Sequence, residues 1–125
     1  MNEAFTIAET LMRPIELRDL VVDAITDLRG RDVVVLDVET LTDVTDYMVL
    51  VTGTSRRHVR ALVDAVHDAA KRRSAKILGI EGVETGEWVL LDLADVVVHV
   101  MQAETRAFYD LERLWSDLAS PVAEV

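Results

Sequence analysis

Leu17, Leu20, Val21, Ala24, Ile25 and Leu28 recur at helical spacing after Pro14, which suits a first helical turn, and Gly30 suits the C-terminal cap. Val33 to Val38 follows as a nearly continuous β-branched run, the pattern of a strand buried on both faces. Thr40 to Asp46 is polar and turn-like, and Tyr47 to Thr52 gives a second apolar strand that ends at Gly53. Gly53-Thr54-Ser55 then forms a strand-to-helix turn. The helix it opens carries its stripe on Val59, Leu62, Val63, Val66 and Ala70 and closes on Lys71-Arg72-Arg73, cations that favour a helix C-terminus. Lys76 to Ile80 reads as a short strand, 81–87 as an acidic loop, and Trp88 to Leu93 with Val96 to Met101 as a tight hairpin. Ala107, Phe108, Leu111, Leu114, Trp115 and Leu118 mark a last helix. The order implies one α/β domain, a mixed β-sheet flanked by helices, without internal repeats or low-complexity tracts.

The domain is expected over 14–120. Residues 1–13 show no clean period and read as an N-terminal arm, and Pro121 is expected to close the ordered chain, leaving 121–125 as a tail. A chain of 125 residues, half of them apolar, holds one core and not two ordinary domains. No apolar run approaches the roughly 18 residues of a membrane span, and the start lacks a secretory pattern. A soluble, cytoplasmic protein is expected. The absence of cysteine excludes disulfides and thiolate metal sites.

A net charge of −10 disfavours general binding to a phosphate backbone and suits a basic protein partner, unless it serves solubility alone. The three histidines, His58, His67 and His99, have no ligand-like spacing, so no metal site is expected. Gly53-Thr54-Ser55 is a candidate phosphate cradle by position, but it lacks the P-loop spacing and reads better as an ordinary helix cap. Arg56 and Arg57 break the rule that cations avoid a helix N-terminus; they are either solvated or aimed at an RNA phosphate or an acidic partner. A nucleotide-using enzyme would need paired carboxylates converging on Mg²⁺, and no strand carries Asp-x-Asp.

The hairpin offers more. A loop centred between Leu93 and Ala94 sets Trp88 opposite His99, Leu90 opposite Val97 and Asp92 opposite Asp95. One face then shows an indole, two aliphatics, two acids and an imidazole, a patch suited to a basic protein. The competing account packs Trp88 and Leu90 beneath a helix.

Asp46-Tyr47, Thr52 to Ser55 with Arg60, Trp88, Asp92, Asp95 to Val100, Arg106, Tyr109, Leu111-Glu112 and Leu114-Trp115 together resemble the Iojap-like ribosomal silencing factor family, over about 15–116. The resemblance implies a nucleotidyltransferase-like core without the catalytic carboxylates, no enzyme activity and no cofactor. It further implies binding to the large ribosomal subunit through the basic ribosomal protein L-fourteen and a steric block to small-subunit docking, lowering translation when nutrients are short. On this basis Trp88, Leu90, Asp92, Asp95, Val97, His99, Arg106 and Tyr109 are the candidate partner-binding residues, with Arg106 and Tyr109 also able to brace the sheet. A peripheral contact to ribosomal RNA and a homodimer of the free protein are compatible with this picture. Competing assignments are a nucleotide-using enzyme and an adaptor for another basic protein. Ala94 departs from the family, which usually has Gly there, and if the position needs positive φ an alanine is costly.

Overall fold

The computed structural model describes residues 12–116 and 120–124; of the expected arm, 1–11 lie outside the described residues. Ten elements follow in order: α1 Pro14–Asp27, β1 Arg31–Asp37, β2 Tyr47–Gly53, α2 Arg56–Arg72, β3 Gly79–Glu81, β4 Trp88–Asp92, β5 Val96–Gln102, α3 Ala103–Tyr109, α4 Leu111–Ser116 and β6 Ser120–Glu124. The six strands form one mixed sheet ordered β3-β4-β5-β2-β1-β6. Only β2 and β5 run parallel, pairing from Tyr47 with Val96 to Gly53 with Gln102; the other neighbours are antiparallel.

α1 and α2 cover one face. Their stripes, Leu17, Val21 and Ile25 with Val59, Leu62, Val63, Val66 and Ala70, pack on Val33, Val35, Val49, Val51, Val89, Leu91, Val98 and Val100. Each such side chain, fully buried, contributes about 1.5–3 kcal/mol, well above helix propensity, so packing rather than local preference holds these helices. Met12 also packs on this core. The opposite face has a smaller core of Leu36, Val38, Met48, Leu50 and Met101, with Val34, Trp88 and Leu111 partly buried beside it.

Both long helices end as local chemistry requires. Glu16 accepts from the Arg13 N–H at 3.2 Å and from its Nε at 2.9 Å, closing the start of α1. At its end Arg29, not Gly30, adopts the left-handed conformation (φ 60). The Arg29 and Gly30 N–H groups return to Thr26 and Ile25. Gly30 serves a different need: a Cβ there would lie 2.5 Å from Val51 Cγ2. α2 starts with Ser55 Oγ accepting the His58 N–H at 3.1 Å and ends with Ser74 and Ala75 donating to Lys71 and Ala70.

Four expectations change. The strand expected over 76–80 is Gly79–Glu81. The hairpin register is displaced: Trp88 faces Met101, Leu90 faces His99 and Asp92 faces Val97. The turn is therefore centred one residue later, between Ala94 and Asp95, because Ala94 takes the left-handed conformation at φ 69. The last helix is interrupted by Asp110 at φ 49, which divides it into α3 and α4. Its phase shifts with the break, leaving Phe108 81% exposed and turning Arg106 inward. Leu118 lies outside the described residues. Finally, the chain does not stop at Pro121; β6 pairs with β1, with Pro121 opposite Leu36. Proline is tolerated there because β6 is an edge strand.

Ala94 carries a testable strain. Left-handed backbone costs an L-residue about 1–2 kcal/mol, while glycine's extra unfolded-state entropy takes back roughly 0.5–1. Ala94→Gly should therefore stabilise the domain by about 0.5–1 kcal/mol in urea unfolding; a destabilised variant would show that the turn is not strained.

Candidate partner-binding face

Alternation places Trp88, Leu90 and Asp92 of β4 on the same side as Val97, His99 and Met101 of β5. This is the side of the smaller core, beyond the region shielded by α3 and α4. Trp88, Leu90, Asp92 and Val97 are half-buried, and His99 and Met101 are buried. α3 leans over the upper edge, and the Tyr109 ring lies 4.9 Å from Trp88, with Phe108 edge-on to Tyr109 at 5.0 Å. Three aromatic rings thus form a continuous cluster in which Tyr109 is 54% exposed and Phe108 still more. The structure brings Trp88, Leu90, Asp92, Val97, His99 and Tyr109 together.

Trp88 Nε1 donates to His99 Nδ1 at 3.0 Å, which fixes the imidazole as the tautomer protonated on Nε2. A proton on Nδ1 would face the indole N–H, and burial opposes the charged ring. Burial pushes the His99 pKa down to about 4. Since the folded value lies below the unfolded 6.5, the neutral ring's contribution is complete above pH 6.5 and is lost as pH falls toward 4. The loss should be on the order of 3 kcal/mol between pH 7 and 4. His99→Gln should flatten that part of the pH–stability curve in denaturant titrations; an unchanged slope would assign the acid sensitivity elsewhere.

Asp92 Oδ1 accepts the Ala94 N–H at 3.0 Å and so holds the hairpin tip. Asp95 is exposed at the turn, not opposite Asp92, and its carbonyl accepts the N–H groups of Asp46 and Tyr47. The tip is thereby joined to the β1–β2 loop and its carboxylates. Burial, and after it the Glu39 carboxylate with Asp37 and Asp46, pushes the Tyr47 hydroxyl pKa up. That end of the sheet is acidic.

Arg106, expected as a partner contact or as a brace for the sheet, takes the bracing position. It is 7% exposed, its Nε and Nη2 grip Glu112 at 2.7 and 3.0 Å, and its Nη1 donates to Thr52 Oγ1 at 2.9 Å. The guanidinium ties α3 and α4 to β2 and so sets where Tyr109 lies. Phe108 was missed as a surface residue, since its sequence spacing assigned it to a core stripe and no sequence signal marks the break at Asp110.

The Gly53-Thr54-Ser55 turn is a helix cap in which Ser55 Oγ accepts the His58 N–H. His58 Nδ1 accepts the Thr54 N–H at 2.9 Å, and its Nε2 contacts the Leu28 carbonyl at 2.8 Å. Among the described residues no cluster of three or more His, Asp or Glu could hold a metal, and no helix is long and apolar enough to cross a membrane.

A family model described as ribosomal silencing factor during starvation matches residues 12–125. The chain is 44% identical over 100 residues to the ribosomal silencing factor RsfS of Chromobacterium violaceum, covering 80% of this chain and 82% of that protein. It is 36% identical over 101 residues to a mouse protein named mitochondrial assembly of ribosomal large subunit protein 1, covering 78% and 44% respectively. A crystal structure of a Chromobacterium violaceum protein superposes with a TM-score of 0.82 at 43% identity, covering 84% of this chain and 88% of that one.

Proposed function

The chain belongs to the ribosomal silencing factor family, and on that premise we propose that it binds the large ribosomal subunit through ribosomal protein L-fourteen. Bound there, its bulk sterically blocks association with the small subunit and represses translation under nutrient limitation. The observation that carries the reading is one continuous β4–β5 face with the aromatic cluster of Trp88, Tyr109 and Phe108 at one end and the acidic hairpin tip at the other. Exposed rings that touch one another offer large, rigid contact area at low entropy cost, and nearby carboxylates select a basic partner. The contact set is Trp88, Leu90, Asp92, Asp95, Val97 and Tyr109, with Phe108 added; His99 orients the Trp88 indole and Arg106 holds α3.

A standard interface takes about 800 Å² from each partner, roughly a tenth of this chain's 7737 Å² surface. The mouse relative's name, which refers to the large ribosomal subunit, supports the choice of subunit. No catalytic step is assigned, since occupying a face is sufficient to control joining. The working compartment is the cytoplasm. If free copies pair through the same aromatic cluster, pairing and docking compete, and the dimer must open first.

Sedimentation of the purified protein with separated ribosomal subunits tests the reading. Co-migration with the large subunit alone, and inhibition of subunit joining, are expected. Binding should weaken from 50 to 500 mM salt, concentrations spanning roughly weak to strong screening. Co-migration with the small subunit, or indifference to salt, would overturn the proposed face or its chemistry.

A further inference from the structure

At the end of the sheet opposite the acidic tip, five arginines gather from two segments distant in sequence. Arg29 and Arg31 flank the start of β1, and Arg56, Arg57 and Arg60 lie at the start of α2. The His58 contact to the Leu28 carbonyl joins the two segments, and Arg31 pairs with Thr52 at the top of the sheet. All five side chains are exposed. Asp27, Asp32, Asp64 and Glu87 are near in sequence, yet among the described residues no carboxylate comes within 4.0 Å of any of the five guanidinium groups.

This arrangement is unfavourable in the free protein. Cations oppose the helix dipole at the start of α2, and Arg56 and Arg60 stand in the i, i+4 relation where like charges repel. Every member of the cluster is arginine, the side chain whose planar fork matches two phosphate oxygens. The cluster also borders the docking face. Arg56 Cγ packs so closely on Gly86 that a Cβ there would lie 2.9 Å away, and Gln102 holds the Gly86 and Glu87 carbonyls just before Trp88 opens β4.

We propose that this arginine end is a binding surface for the phosphate backbone of RNA, so that the chain sits across a protein–RNA boundary. Its β4–β5 face meets a basic protein, and its arginine end, which borders the Trp88 edge of that face, meets the neighbouring RNA; this placement rests on the docking reading above. The guanidinium groups make the contact, since all five are exposed and none is paired with a carboxylate among the described residues.

The test compares the full-length parent with Arg56→Gln/Arg57→Gln/Arg60→Gln, measuring affinity for whole large subunits and for isolated ribosomal protein L-fourteen across a salt series. Subunit affinity should fall at least about tenfold and the slope of log affinity against log salt should shrink by about 2–3, from roughly 0.7–0.9 per phosphate released. Affinity for the isolated protein should not change. Subunit affinity within twofold of the parent, or a parallel loss on the isolated protein, overturns the proposal. If the triple variant does not fold, Arg31→Gln/Arg57→Gln is read in the same way with a slope change of about 1–2. Should the parent not bind isolated L-fourteen at all, the docking reading fails, while the salt slope on whole subunits still decides the arginines.

Discussion

Trp88→Ala should abolish co-sedimentation with the large subunit. Truncating a central interface tryptophan costs at least ~2 kcal/mol, roughly thirtyfold in affinity. Here the loss extends further, because Tyr109 stacks on the indole and His99 takes its N–H, so both neighbours lose their support. The variant should not be silent in stability either. A fully buried tryptophan costs about 3–5 kcal/mol on truncation, and Trp88 is half-buried. A loss of about 2 kcal/mol, or roughly 8 °C in the thermal midpoint for a chain of 125 residues, is expected. Trp88→Phe separates the roles: the ring remains, the hydrogen bond is lost, and the stability cost should be about 1 kcal/mol with partial binding retained. Undiminished binding by folded Trp88→Ala would remove this face from the interface.

Arg106→Met should cost roughly 2–3 kcal/mol, below the range for a fully buried ion pair because water reaches the Glu112 carboxylate. The loss arises because Glu112 and Thr52 are left facing a methyl group, and α3 is released from β2. Urea unfolding measures it, and a loss below about 1 kcal/mol would mean that the pair is no more than a surface contact. The pair also has a pH signature. Hydrogen bonds from Arg106 hold the Glu112 carboxyl below its usual value of 4.5. Its stabilisation is therefore full above that value and lost as pH falls through the lower folded one. That window opens at 4.5, where most of the one set by His99 has already been crossed, so the upper transition belongs to His99 and the lowest part to Glu112. Arg106→Met should erase the lower transition and retain the upper one.

Much of the face was legible in the sequence because strand alternation tolerates certain errors. The expected pairing of Trp88 with His99 differs from the observed pairing with Met101 by two residues. A slip of two preserves every side chain's face, whereas a slip of one would have turned Trp88 into the helix-covered core. The family resemblance and the fold class agree with the structure for a related reason: buried strands and two amphipathic helices declare themselves by period. The C-terminal third is different. The left-handed Asp110 has no unmistakable marker, and a stripe read through it assigned Phe108 to the core and left Arg106 open between a partner contact and a brace. β6 was hidden because a proline and five short-range residues say nothing about an edge supplied by β1.

The parallel seam between β2 and β5 has a consequence for how quickly the domain assembles. Its partners, beginning with Tyr47 and Val96, lie about fifty positions apart, whereas β1–β2 and β4–β5 close across short turns. The hairpins can therefore gather early at little entropic cost, and the chain must then complete two long-range pairings, β2 with β5 and, across a still longer separation, β1 with β6. The Trp88 surface belongs to one half and the Arg106 anchor reaches across to the other at Thr52. Neither half alone therefore carries both the Trp88 surface and the anchor that places Tyr109 beside it.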